Sequence, residues 1–152
     1  MEVVILRSAK EGQLPMKILI VEDEPKTGAY LRQGLIEAGF VVDLARNGPD
    51  GLHLALGGNY DLAILDVMMP GMDGWEVLAA LKEDPETADI PVIVVSIVDE
   101  RGLGFSLGAA DYLTKPLDCS RLSSVLNRHA KVGLGRRVLI VEDDQATQEL
   151  LQ

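Results

Sequence analysis

A doubly wound α/β sheet is the fold the sequence predicts, and three observations predict it. From residue 16 onward, short β-branched runs alternate with longer stretches of helical periodicity. The runs are continuously apolar rather than alternating, as strands covered on both faces must be. The length, 152 residues, suits one domain at roughly 150 residues each. Five βα units then give a five-stranded parallel sheet, and the flavodoxin-like order 2-1-3-4-5 is the natural arrangement at this size.

The predicted strands are residues 18–21, 41–44, 62–65 and 92–95, with a shorter one at 112–114. The first helix, about 25–38, places Leu31, Leu35 and Ala38 on one stripe and ends at Gly39, the residue type that closes helices in the left-handed conformation. The second, about 49–56, stops at Gly57-Gly58-Asn59. The third begins at Asp73, with Glu76 three residues on as in a capping box, and buries Val77, Leu78 and Leu81. The fourth is weak, because Gly102, Gly104 and Gly108 each disfavour helix by up to ~1 kcal/mol relative to Ala. Low intrinsic stability makes that segment a candidate for movement. The last helix, about 118–130, aligns Leu122, Val125, Leu126 and His129. Neither His129 nor His53 has a second His or Cys at metal-ligand spacing, so both are expected on helix surfaces.

Composition narrows the function classes. Asp+Glu 24 against Lys+Arg 14 leaves a formal charge of -10, which repels nucleic-acid phosphates and anionic lipid. A partner protein is the expected target. The single cysteine, Cys119, excludes an internal disulfide and a multi-cysteine zinc site, fits a reducing compartment, and is expected as a small packing residue. No apolar run approaches the ~18 residues of a membrane helix. Residues 1–15 carry a short apolar patch behind acidic Glu2 and no cleavage-site pattern, so they are expected as a leader outside any domain and not as a signal peptide. The predicted location is the cytoplasm.

An internal repeat changes the domain count. Arg137-Val138-Leu139-Ile140-Val141-Glu142-Asp143-Asp144 repeats Lys17-Ile18-Leu19-Ile20-Val21-Glu22-Asp23-Glu24, and Thr27 and Thr147 also coincide. Residues 16–130 are therefore expected as one complete domain, 131–136 as a linker, and 137–152 as the start of a second copy. A fragment that short cannot bury its own core.

Ligands of such sheets bind at the carboxyl ends of the strands, where the polar residues of this chain converge. Glu22 and Asp23 follow the first strand, Asp66 ends the third, Ser96 ends the fourth, and Lys115-Pro116 follows the fifth. Crowded carboxylates repel one another, so a cation is needed to hold them ionised together. An acidic, all-oxygen, partly open site suits Mg²⁺, which keeps several waters and accepts phosphate oxygens. A carboxylate beside Mg²⁺ can attack phosphorus and form an acyl phosphate, and Asp66 is central for that role. Lys115 then pairs with phosphate charge and Ser96 hydrogen-bonds a phosphoryl oxygen. Pro116 is a candidate cis residue that would aim the lysine inward.

This ordered set resembles the response-regulator receiver domains of two-component signalling over about residues 16–130. The resemblance implies that Asp66, within Leu65-Asp66-Val67-Met68-Met69-Pro70-Gly71, is the phosphoacceptor, and that Glu22 and Asp23 are the acidic pair. It further assigns the hydroxyl switch to Ser96, the aromatic switch to Tyr112 and the lysine of the site to Lys115. Asp23, Asp66 and the backbone carbonyl of Met68 would bind Mg²⁺, with Glu22 acting partly through water. The first half, especially Lys26-Thr27-Gly28 and residues 34–40, is similar to metal-responsive regulators of the winged-helix transcription-factor class. The stretch after Met68 looks more like receivers attached to hybrid histidine kinases, and natural mosaic or engineered chimera both fit that division.

The implied reaction is phosphoryl transfer from the histidine of a sensor or hybrid kinase, or of a phosphotransfer protein, to Asp66. Ser96 and Lys115 are then drawn to the new group, Tyr112 moves into the space Ser96 leaves, and the face built from the fourth helix, fifth strand and fifth helix changes for a downstream effector protein or a second copy in a homodimer. Ile97 after the switch serine, with Met68 and Val98 flanking the site, predicts slow hydrolysis of the acyl phosphate. Two other readings compete: an aspartate-nucleophile, Mg²⁺-dependent phosphatase, disfavoured because those enzymes place an acid where Met68 stands, and a structural module that is never phosphorylated. The first reading makes the chain a phosphoacceptor and not an enzyme.

Overall fold

The structure is a computed structural model that describes residues 2–5, 16–117, 119–129 and 139–142. Its main sheet has five parallel strands, β2 (Lys17–Val21), β3 (Val41–Ala45), β4 (Leu62–Asp66), β5 (Val92–Ser96) and β6 (Asp111–Thr114), in the spatial order β3-β2-β4-β5-β6. Numbered from Lys17 onward, this is the order 2-1-3-4-5 of a flavodoxin-like sheet. Helices α1 (Pro25–Glu37), α2 (Gly48–Gly58), α3 (Gly74–Glu83), α4 (Arg101–Ser106) and α5 (Cys119–His129) connect and cover the strands.

Side-chain alternation explains why the strands are apolar without a break. Successive residues of a strand point to opposite faces, and here both faces are covered. Leu19, Val21, Leu65, Val92 and Val94 join Val77, Leu78 and Leu81 of α3 in one core. Ile18, Ile20, Ile64 and Ile93 join Leu31 and Leu35 of α1 and Leu122, Val125 and Leu126 of α5 in the other. Every residue of β4 and β5 is buried, including the polar residues at their ends, Asp66 and Ser96.

Local chemistry sets the helix ends. Pro occupies the first turn of α1 and of α2, where a missing N–H costs nothing. Asn47 caps α2 by accepting from the Asp50 amide at 2.8 Å, and Asp73 caps α3 by accepting from Glu76 at 3.0 Å. After α1 the chain turns at Gly39 (φ 93). Helix α2 continues through Gly57 and Gly58 and turns only at Asn59 (φ 53), two residues beyond the predicted stop. Asn tolerates the left-handed region because its side chain bonds locally. Helix α4 is the shortest, six residues with no side-chain cap.

The ends of the described chain meet in a separate ribbon. Strand β1 (Glu2–Ile5) pairs antiparallel with β7 (Leu139–Glu142), Ile5 opposite Leu139 and Glu2 opposite Glu142. The rest of the expected leader, the expected linker 131–136 and the remainder of 137–152 lie outside the described residues, as does the Cys119 side chain.

Candidate functional site

Parallel register brings the polar strand ends to one edge. Val21 pairs with Leu65, Asp66 with Val95 and Ser96 with Thr114, so Glu22, Asp66, Ser96 and Lys115 arrive at the same height. Carboxylate oxygens of Glu22, Asp23 and Asp66 lie within 4.8 Å of one another. Glu22 and Asp66 are buried, 2% and 3% exposed. Lys115 reaches across from the end of β6, its Nζ 2.8 Å from Glu22 Oε1 and 3.2 Å from Asp66 Oδ1. The Lys115–Pro116 peptide is cis.

The charge balance at this edge is unfavourable to three ionised acids. Burial pushes the Glu22 carboxyl from its ordinary 4.5 up to about 8, Asp66 adds to the shift, and Lys115 opposes it. Asp23 is raised by partial burial and by Asp66. Burial alone would lower the Lys115 amine, yet its contacts with Glu22 and Asp66 outweigh that and hold it above its usual value. One ammonium is too little compensation for three carboxylates. Glu22 Oε2 is buried with no hydrogen-bond partner, an arrangement that costs free energy unless a cation or water completes it. The donor set fits Mg²⁺: all oxygen, anionic, and clustered on one open strand edge.

The loop after Asp66 is shaped by a close approach. Its amide at Met68 donates to Asp66 Oδ1 at 3.4 Å, and Gly74 N donates to Val67 O at 2.9 Å. A Cβ on Gly74 would sit 2.3 Å from the Asp66 carbonyl oxygen, so only glycine lets α3 start against the end of β4. Met68, which follows Asp66 by two positions, and Ile97 and Val98, which follow Ser96, are exposed at 56%, 64% and 45%.

Ser96 and Tyr112 are joined through one residue, Val98. Ser96 Oγ, fully buried, accepts from Val98 N at 3.1 Å, while Tyr112 OH donates to Val98 O and accepts from Glu100 N at 3.1 Å. The Tyr112 ring is 2% exposed and stacks on Trp75 at a centroid distance of 6.3 Å. With Ser96 in place the ring is buried against Trp75 and Gly104. Gly104 makes that possible, since a Cβ there would meet Tyr112 Cδ2 at 2.9 Å. In the sequence Gly104 reads only as a helix-weakening residue, and no pattern marks it or Trp75 as a neighbour of Tyr112. His129 lies near Asp111 at 3.3 Å, away from the acidic cluster.

The response regulator receiver domain family matches residues 18–127. The chain belongs to that family. The receiver is similar to the transcriptional regulatory protein CusR of Escherichia coli K12, 47% identical over 124 residues that cover 77% of this chain and 54% of CusR. It spans about half the length of the curated relatives it matches. Among solved structures it is similar to the chemotaxis protein CheY4 of Vibrio cholerae (TM-score 0.72, 27% identity, 76% of this chain and 98% of that one). It is also similar to the receiver domain of a Syntrophus aciditrophicus signal transduction histidine kinase (TM-score 0.69, 37% identity, 75% and 89%). Receivers of this family accept a phosphoryl group in two-component signalling and are generally Mg²⁺-dependent. The phosphatase reading is not favoured. No helix among the described residues is long and apolar enough to cross a membrane.

Proposed function

We propose that this receiver takes a phosphoryl group on Asp66 from the histidine of a sensor or hybrid kinase, or of a phosphotransfer protein. The observation that carries the assignment is the clustering of Asp66 with the acidic pair Glu22 and Asp23 and with Lys115, whose Nζ lies 3.2 Å from Asp66 Oδ1 and 2.8 Å from Glu22 Oε1. An Asp66 carboxylate oxygen forms the new O–P bond as the donor's N–P bond breaks, and the electron pair of that bond stays on the imidazole nitrogen. Glu22, Asp23, Asp66 and the Met68 carbonyl would hold Mg²⁺, which when bound supplies charge neutralisation for the phosphoryl oxygens. Lys115 exchanges part of its pairing with Asp66 for the phosphoryl group, and Ser96 turns its hydroxyl toward a phosphoryl oxygen. In turning, Ser96 gives up the Val98 amide. That loosens Val98, whose carbonyl Tyr112 holds, and so couples Asp66 to α4, β6 and α5, the face read by a downstream effector.

The apolar rim of Met68, Ile97 and Val98 offers no side chain to orient an attacking water, which supports slow loss of the phosphoryl group as the chain's own behaviour. Residues 16–130 form the receiver in this reading, and the repeat at 137–144 resembles the opening of a second one. The acidic balance supports a protein effector and not nucleic acid, with the cytoplasm as the site of action; a homodimer through the same face is compatible with it. Intact mass with and without a small phosphodonor and Mg²⁺ tests the assignment. One added phosphoryl group, abolished by Asp66→Asn, is the expected result; an unchanged increment in that variant refutes it.

A further inference from the structure

The loop after Asp66 sets two methionines next to each other in opposite surroundings. Met68 is 56% exposed, while Met69 is 6% exposed and packed into the core. Met16 is buried, and Met72 is half-buried against the same core as Met69. Among the described residues, Met68 is therefore the one thioether open to solvent. Pro70 and Gly71, further along the same loop, are exposed as well, so the loop leaves the approach to Met68 uncovered. The Met68 backbone is tied to the acceptor, its amide donating to Asp66 Oδ1 at 3.4 Å. A long, unbranched side chain with three rotatable bonds thus starts at the margin of the acceptor carboxylate. Packing accounts for Met16, Met69 and Met72; it does not account for Met68.

Solvent-exposed thioethers are open to oxidation by peroxides, while close packing shields buried ones. We propose that Met68 is an oxidation site whose sulfoxide shortens the life of the acyl phosphate on Asp66. The co-reactant is hydrogen peroxide. The Met68 sulfur bonds to one peroxide oxygen as the O–O bond breaks, and the hydrogen of that oxygen passes to the departing hydroxide, which leaves as water; sulfur is oxidised and the peroxide reduced. A flexible apolar side chain becomes a polar, chiral one, and its new oxygen accepts hydrogen bonds. That oxygen can hold a water by one hydrogen beside the phosphoryl group, which the thioether cannot. The water oxygen then bonds to phosphorus, the bond from phosphorus to the Asp66 oxygen breaks with its electron pair staying on the carboxylate, and the protons of the water leave with inorganic phosphate. A sulfoxide is too weak a base to take the proton outright, so its contribution is orientation. An acceleration of about three- to tenfold is expected, below the ~10²–10⁴ of a positioned general base. Sulfoxide reductases, one for each epimer, restore the thioether. The inference rests on Asp66 being the acceptor, and it gives the phosphorylated state a chemical timer that needs no second phosphatase protein.

The test uses the full chain, treated with dilute hydrogen peroxide in native buffer and divided between peptide mapping by mass spectrometry and phosphorylation with a small phosphodonor and Mg²⁺. Mapping is expected to find the added oxygen on Met68 well before Met16, Met69 or Met72. Once the donor is removed, intact mass follows loss of the phosphoryl group, and the oxidised chain is expected to lose it about three to ten times faster than the untreated one. Methionine sulfoxide reductases A and B together are expected to return the untreated rate. In Met68→Leu, peroxide is expected to leave that variant's own decay rate as it was, which separates Met68 from Cys119, present in both chains. Oxygen added to Met69 as fast as to Met68 overturns the inference, as does an unchanged decay rate at full Met68 oxidation or a peroxide effect that survives Met68→Leu. A chain whose Met68 oxidises selectively but that never gains a phosphoryl mass refutes the acceptor assignment, and the inference with it.

Discussion

Replacing Glu22 by Gln probes the electrostatics of the acidic edge most directly. Glu22 keeps its shape in this variant but loses the ability to ionise. In the metal-free protein its carboxyl is raised to about 8, through burial first and Asp66 second, against 4.5 for an unperturbed glutamate. A folded pKa above the unfolded one means that protonation favours the folded state. The contribution is complete below pH 4.5 and is lost as pH rises through about 8. Between pH 6.5 and pH 9 the linkage relation makes that loss about 2 kcal/mol. Urea unfolding in EDTA, followed by the fluorescence of Trp75, should show the wild type losing about this much stability over the window. Glu22→Gln should lose little. Mg²⁺ reverses the sign of the effect, since it binds the ionised form: apparent affinity should rise about 30-fold across the same window in the wild type and stay nearly flat in the variant. Parallel pH profiles for the two proteins would refute the argument that Glu22 holds a proton at neutral pH.

Gly74→Ala places a methyl group 2.3 Å from the Asp66 carbonyl oxygen. Backbone must shift to accept it, so a loss of about 1–3 kcal/mol in urea unfolding is expected, together with slower phosphorylation of Asp66; a neutral outcome in both would contradict the close approach. Tyr112→Phe keeps the stack on Trp75 but leaves the Val98 carbonyl and Glu100 amide without their partner. A stability loss of about 1–2 kcal/mol is expected, with faster hydrogen exchange at residues 98–101, and unchanged exchange there would count against the coupling route. Phospho-Asp66 should decay over minutes or longer and faster in Met68→Asn, where a polar group can orient water; a wild-type half-life of seconds, read by intact mass over time, defeats the apolar-rim argument.

Much of the fold is legible in the chain because its determinants are local or periodic. Continuous apolar runs in β2, β4 and β5 report burial on both faces, and caps such as Asp73 report helix starts through their own hydrogen bonds. The acidic residues, Ser96 and Lys115 are legible as a site because parallel strands must bring their carboxyl ends to one edge. Other features depend on distances between segments far apart in sequence. The raised Glu22 carboxyl follows from its burial beside Asp66, across 44 positions of chain. Gly104 looks like a weak helix former until α4 packs against Tyr112, and Trp75 gains its partner only when α3 and β6 meet. The Val98 backbone couples Ser96 to Tyr112, its N–H donating to the serine and its carbonyl accepting from the tyrosine, because the loop folds between them. Arg101 of α4 and Arg121 and Arg128 of α5 are scattered charges in a net acidic sequence and line one cavity only through packing. Sequence by itself determined the order of elements and the chemistry collected at the strand ends, since both follow from periodicity and sheet topology. Tertiary structure alone decided the upward shift of the Glu22 carboxyl, the buried tyrosine and the arginine-lined face, because desolvation and close contact are properties of three-dimensional neighbours.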